Sequence, residues 1–285
     1  MPEFRRAERR KAYLKIGISA PSGAGKTYSA LLMGYGITGD WTKIAVIDTE
    51  NGSADLYSDL GEYSVCGISA PYTPQKYIDA IKSAEEAGFT LIIVDSLTHA
   101  WTGDGGLLDM QDKAVKASKS GNGYMAWREI TPQHNKLVDT ILQAKADIIV
   151  TTRAKAEYVI TDDNGKKNYK KIGLAPIFRD GLEYEMTTFF DLTQDHIATA
   201  SKDRTNLFDG KNFVPTVETG KTFLYWKNSG AEMPKFYCEI CNKEISQKIY
   251  DLSKEKYGHA VCSAECKDTA LSKQQNNEIG EQQND

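Results

Sequence analysis

The sequence predicts an α/β fold with a mostly parallel central sheet, followed by a small C-terminal zinc-binding domain. Three observations predict it. Near-continuous runs of Val, Ile and Leu alternate with helical patterns over residues 13–152, as expected for strands covered on both faces by crossover helices. A glycine-rich segment, Ala20–Thr27, falls between the first of these strands and the first helix. Four of the five cysteines lie within residues 236–266.

Composition narrows the classes. With 285 residues, 40% hydrophobic and 26% charged, the chain is neither collagen-like, coiled-coil nor wholly disordered, and it is long enough for one large domain plus an appendage. The net charge of −4 excludes a globally basic nucleic-acid binder while leaving room for a local basic surface. No run approaches the 18 apolar residues of a membrane span. The first fifteen residues carry Arg5, Arg6, Arg9, Arg10, Lys11 and Lys15 without an apolar run, unlike a secretory signal. The expected location is therefore cytoplasmic, where cysteines serve as metal ligands or free thiols rather than disulfides.

In chain order, residues 1–12 form a basic segment, helical or frayed. Residues 13–230 form the core. Tyr13–Ser19 reads as a strand, Lys26–Gly34 as a helix, Lys43–Asp48 as a strand, Tyr77–Ala87 as a helix stopped by Gly88, and Thr90–Asp95 as a strand. Tyr124–Ala144 reads as a long helix with Leu137, Ile141 and Leu142 on one face, and Asp147–Thr152 as a fourth strand. The turn Asp162-Asp163-Asn164-Gly165 joins Tyr158–Thr161 to Asn168–Ile172 as a hairpin. Met186–Leu192 and His196–Lys202 read as two more strands, and Asn228–Pro234 as a boundary. Residues 236–266 form the cysteine domain, and the Gln/Asn-rich tail 267–285 is expected to be disordered.

The segment Ala20-Pro-Ser-Gly-Ala-Gly-Lys-Thr27 has the strand–loop–helix context of a P-loop, with Ala20 at the usual first glycine. The backbone of Ser22, Gly23, Ala24, Gly25, Lys26, Thr27 and Tyr28 would wrap the phosphates of ATP at a helix N-terminus. Lys26 would reach the β and γ phosphates, and the Thr27 hydroxyl would bind Mg²⁺. Asp95, closing the run Leu91–Val94, fits the second Mg²⁺ residue. The residue after it is Ser96 rather than glutamate, so the water-polarising carboxylate is sought at Glu50, in Ile44-Ala-Val-Ile-Asp-Thr-Glu50.

That placement resembles the RecA family, whose second core strand ends in a comparable Asp-x-Glu. Ala200-Ser-Lys-Asp-Arg-Thr205 is similar to the Lys-x-Arg of RecA-like proteins, which reaches across a subunit interface to a neighbour's ATP. The resemblance therefore implies that Lys202 and Arg204 act in trans. Residues 10–225 as a whole resemble the phage-encoded RecA-like, AAA-type ATP-binding proteins that include the Sak-group single-strand annealing proteins. GISAPSGAGKTYSALL, IAVIDTENGSADLY, PYTPQKYIDAI, LIIVDSLTHAW and ASKDRTNLF carry the match. It implies a RecA-like P-loop core, ATP hydrolysis, single-stranded DNA binding and annealing, and a homo-oligomer in ring or filament form. It leaves room for a single-strand DNA-binding protein as a further partner, and a phage-encoded chain would work in the bacterial host cytoplasm.

In RecA-like cores the DNA loops follow the strands after the Mg²⁺ aspartate, and two segments qualify. One is Thr102–Asn122, with Lys113, Lys116 and Lys119. The other is Arg153–Arg179, with seven Lys or Arg against three acidic residues. In its hairpin Lys166, Lys167, Lys170 and Lys171 surround Tyr169, a combination suited to phosphates and stacked bases. Cys238-x₂-Cys241, a gap of twenty residues, and Cys262-x₃-Cys266 have zinc-site spacing. Four thiolates make a closed, structural Zn²⁺ site, with His259 as a spare ligand. Cys66 is expected as a buried or half-buried free thiol. Two alternatives stand beside the DNA reading. One is an ATP-gated scaffold that recruits a partner. The other is a small-molecule P-loop kinase, disfavoured because residues 100–180 hold only Arg128, Arg153 and Arg179.

Overall fold

The computed structural model describes residues 6–118, 122–163, 166–232 and 235–281, with side chains described outside 156–174 and 273–281. The chain divides into a unit of residues 11–230 and a second made of residues 1–10 and 231–285.

The larger unit has the predicted α/β architecture. Its elements are β1 (Lys15–Ala20), α1 (Lys26–Thr38), β2 (Ile44–Asp48), β3 (Ser64–Gly67), α2 (Pro74–Glu86), β4 (Leu91–Asp95), α3 (Thr98–Thr102), α4 (Leu107–Ala117), α5 (Gly123–Gln143), β5 (Asp147–Asp163), β6 (Lys166–Pro176), α6 (Leu182–Glu185), β7 (Thr188–Leu192), β8 (Ala198–Asp203), β9 (Asn212–Phe213) and α7 (Val217–Asn228). The sheet order is β3-β2-β4-β5-β1-β7-β8-β9, with β6 paired to β5 alone. Strands β3 through β7 in that order are parallel, and β8 and β9 return antiparallel. Every residue of β1, β2 and β4 is buried, which explains their lack of polar alternation. One face of the sheet packs on α2 and α5 through Ile78, Ile81, Leu137 and Ile141, and the other on α1 through Leu31 and Met33.

Helices α1 and α7 meet backbone to backbone. A Cβ on Gly36 would lie 2.1 Å from the Val217 carbonyl oxygen, and one on Gly220 would lie 2.1 Å from that of Met33. Only glycine permits this approach.

The structure departs from the sequence reading in several places. Among the described residues, most of the segment Thr102–Asn122 is helix α4 rather than loop. Gly103, Gly105 and Gly106 form the short joint between α3 and α4, and Lys113 is held by Asp109 at 2.7 Å one turn earlier, while Lys119 lies outside the described residues. Strand β5 does not stop at Thr152 but continues into the hairpin. Residue His196 belongs to the β7–β8 turn, with φ of 62°, rather than to β8. Cys66 is exposed because β3 is the sheet's edge strand.

In the smaller unit, residues 6–10 are not helical, and Arg10 pairs as a parallel bridge with Ala231. A hairpin of β10 (Phe236–Tyr237) and β11 (Glu244–Ile245) leads into α8 (Gln247–Tyr257), which starts on a Ser246 cap and stops at Gly258, φ 74°. Helix α9 (Ala264–Glu281) runs through most of the segment whose polarity predicts disorder. Ala270 on this helix is buried, so its first turns have an apolar anchor that composition alone conceals. Among the described residues no helix is long and apolar enough to cross a membrane.

Candidate nucleotide site and cysteine centre

The P-loop turns off the end of β1. Gly23 and Gly25 adopt φ of 81° and 84°, and Gly25 precedes α1 without offering a capping side chain. The first-turn N–H groups of α1 therefore face the loop, together with the positive end of the helix dipole. The β7–β8 turn pins the loop from outside. His196 Nδ1 lies 2.9 Å from the Ala24 carbonyl, and Gln194 Nε2 donates to the Ser22 carbonyl at 3.4 Å. A cavity of about 490 Å³ opens over Gly23, Lys26, Thr27 and Tyr28, with Tyr57, Val214 and Pro215 along its walls. The Tyr28 and Tyr57 rings are tilted together at 5.7 Å.

Below the loop, Asp95 is fully buried at the end of β4. Its Oδ2 accepts from Thr27 Oγ1 at 2.5 Å and its Oδ1 from Thr151 Oγ1 at 2.5 Å. Burial pushes its carboxyl above the usual range, against the pull of Lys26 and both threonines. A hydroxyl and a buried carboxylate facing each other beside the loop are a hard oxygen pair that fits Mg²⁺.

Glu50 is positioned by its own turn. Asp48, buried at the end of β2, accepts the Glu50 N–H at 2.6 Å and the Ala54 N–H at 2.9 Å. The Glu50 carboxylate then meets three groups. Lys26 Nζ is 3.8 Å from Oε1, Ser96 Oγ donates to Oε1 at 3.0 Å, and Arg153 grips it with Nε at 3.1 Å and Nη2 at 2.5 Å. Burial raises its pKa, but Arg153, Lys26 and Ser96 outweigh burial and hold it below the ordinary carboxylate range. The structure brings Lys26 beside Glu50 and Thr27 beside Asp95. Arg153 was expected only as part of a DNA-binding segment, and Ser96, Thr151 and His196 carried no expected site role. Arg153 sits opposite Ala20 in the β1–β5 register, a neighbourhood that nothing local in the sequence marks.

Lys202 and Arg204 lie elsewhere. Strand β8 runs antiparallel, so Asp203 stands opposite Thr188 near the start of β1, at the far end of the sheet from the loop. Both side chains donate to the Tyr184 carbonyl, Arg204 at 2.8 Å. The side chains of Lys166, Lys167, Tyr169, Lys170 and Lys171 lie outside the described residues; their backbone is β6.

A family profile described as an AAA domain matches residues 12–230, which span the sheet, the loop and the carboxylates described above. The chain belongs to the AAA-domain family. No curated protein matches the chain. This AAA domain is a P-loop NTPase domain, and its loop and acidic residues imply a bound nucleotide with Mg²⁺.

The cysteine centre is built by two turns. Cys238 and Cys241 flank the turn between β10 and β11, where Asn242 takes φ of 56°. Cys262 precedes α9 and Cys266 lies in its first turn. All four Sγ atoms fall within 4.8 Å of one another, with Cys241–Cys262 at 3.4 Å and Cys262–Cys266 at 3.6 Å. Tetrahedral zinc thiolates stand about 3.8 Å apart, given a Zn–S bond of about 2.3 Å. The set therefore fits Zn²⁺, with Cys238, Cys241, Cys262 and Cys266 as its ligands. Although burial pushes the Cys238 thiol up, the backbone N–H groups of Cys241, Ile240 and Cys262 outweigh it and hold it near 6. His259 is engaged by Glu239 at 3.0 Å rather than by the thiols. One Zn²⁺ per chain should co-purify, and its affinity should fall with pH as protons compete for the thiolates. Metal analysis of fresh protein, with circular dichroism after chelation, checks this. Retention of native structure over 236–266 without metal would refute a structural role.

Proposed function

We propose that this AAA domain is a RecA-like ATPase that binds single-stranded DNA and assists annealing or homologous recombination in phage DNA metabolism, hydrolysing ATP between copies of the chain. Glu50 takes the proton of the attacking water, and Lys26 holds the phosphates. Thr27 and Asp95 would hold Mg²⁺, which neutralises charge on the phosphates when bound.

The observation that carries the reading is Arg153. It occupies two places at once: its side chain grips the proposed base Glu50, and its backbone belongs to the strand that continues, through a register shift between Glu157 and Tyr158, into the lysine-rich hairpin. A base tied up by a guanidinium is a poor proton acceptor. A strand of DNA drawn to the hairpin lysines pulls on β5, loosens Arg153 and frees Glu50.

The expected result is ATP turnover that rises with single-stranded DNA in the wild type. In Arg153→Ala, turnover should start at the stimulated level and no longer respond to DNA. Turnover and DNA titration are measured together. A wild type that neither binds DNA nor responds to it would remove the DNA reading. An Arg153→Ala variant that is slow with and without DNA would make Arg153 a helper of hydrolysis rather than a restraint.

One observation favours a second reading, an ATP-gated scaffold. Ile249 and Leu252 of α8 are 44% and 55% exposed, a surface suited to a partner protein. The same titration separates the two readings, because a scaffold has no response to DNA.

A further inference from the structure

A second cavity of the AAA domain is larger than the nucleotide site. It is a groove of about 1110 Å³ along the outer side of α5. Tyr124, Trp127, Arg128 and Lys136 line it from α5, Lys82 from α2, and Arg179 from the chain just beyond β6. One aromatic group is presented to solvent and the other is half-buried. Tyr124 is 83% exposed. Trp127 stacks on Trp101 with ring centroids at 5.6 Å, and the Arg179 guanidinium lies 5.5 Å from its ring. Arg179 is held in place by Thr131 Oγ1 at 3.2 Å.

Charge decides the class of occupant. The lining has four cations against the carboxylates Glu85 and Asp139, and Glu85 already accepts the Lys145 N–H at 2.6 Å. An open groove with net positive charge and an exposed ring at Tyr124 suits a chain of phosphates carrying flat bases. A lipid tail needs a drier wall, and an acidic peptide has no use for stacking faces. Helix α5 has 21 residues, so the groove face is about 30 Å long, room for several nucleotides. Its position is also continuous with the hairpin, since Arg179 follows the end of β6 by three residues.

We propose that this groove is a binding path for single-stranded DNA, with Tyr124 stacking a base and Arg128, Arg179, Lys82 and Lys136 contacting phosphates. The proposal rests on the DNA-binding reading above and names where the strand runs after it leaves the hairpin.

The test uses the full chain with ATP and a fluorescent oligo-dT, followed by anisotropy at several salt concentrations. Trp127 packs on Trp101 and is left intact. Tyr124→Ala should weaken binding about tenfold, the loss of one stacked base. Arg128→Ala should lower the slope of log affinity against log salt by about one. ATP binding and assembly mass should match the wild type in both variants. An iododeoxyuridine-bearing oligonucleotide should cross-link to the peptide holding Tyr124 and Trp127. Wild-type affinity in both variants, with cross-links elsewhere, would overturn the groove while leaving the DNA reading intact. No binding by the wild type would overturn both. Loss of assembly mass in the variants would make the groove an interface between copies and also overturn the proposal.

Discussion

Glu50→Gln is expected to keep ATP bound and to lose turnover by about 10²–10⁴-fold, the range for removing a general base. The amide keeps the size of the carboxylate and can still accept from Ser96, 3.0 Å away in the wild type. The phosphate cradle of Gly23, Gly25 and Lys26 is untouched, so nucleotide affinity should hold. What is lost is the negative charge that water needs as a proton acceptor. Rapid-quench turnover beside equilibrium nucleotide binding separates the two. Wild-type turnover in Glu50→Gln would place the base elsewhere. The pH profile adds a signature. Arg153, Lys26 and Ser96 outweigh burial and lower the Glu50 pKa, so the acidic limb of turnover without DNA, while Arg153 holds Glu50, should lie below the ordinary carboxylate range. The stability the ion pair gives is full above the unfolded carboxylate pKa and is lost as pH falls through the lowered folded value. Glu50→Gln should therefore flatten the acid side of a stability curve as well.

Arg204→Ala is expected to lower turnover by about 10³–10⁵-fold, the range for arginine fingers, with ATP affinity retained. The strand register argues that any such action is in trans. Asp203 pairs with Thr188, which pairs with Ile16, and the loop begins beyond Ala20. Four residues of strand are about 13 Å, and the guanidinium is already turned to the Tyr184 carbonyl. Mixing Arg204→Ala with Glu50→Gln chains should restore part of the activity, because some interfaces then join an intact Glu50 to an intact Arg204. No rescue in mixtures, or specific activity constant down to the monomer, would overturn the shared site.

What the sequence made legible, and what it hid, follows from the range of the interactions. Strands such as Leu91–Asp95 announce themselves because burial on both faces requires an unbroken apolar run. The loop and the cysteine pairs are legible because their ligands are close in sequence. Arg153 and His196 were hidden because each acts across a sheet register, 103 residues from Glu50 and 172 from Ala24. The glycines at 103, 105 and 106 look like loop residues, yet Gly106 precedes α4 and the others tighten the joint before it. The tail shows the opposite failure, since Gln/Asn-rich composition masks a helix that begins inside the cysteine turn.

The glycine contact between α1 and α7 ties together two walls of the nucleotide cavity. One wall of the cavity is the start of α1, and another is Val214–Pro215, immediately before α7. With Gly36 and Gly220 in backbone contact, these walls form one block and cannot part like a hinge. Residence time is then set at the open side of the cavity. A chain alone should exchange nucleotide quickly, and a chain with its open side covered should hold it. Any side chain larger than hydrogen at either glycine would wedge the block apart and unlock exchange from whatever covers it.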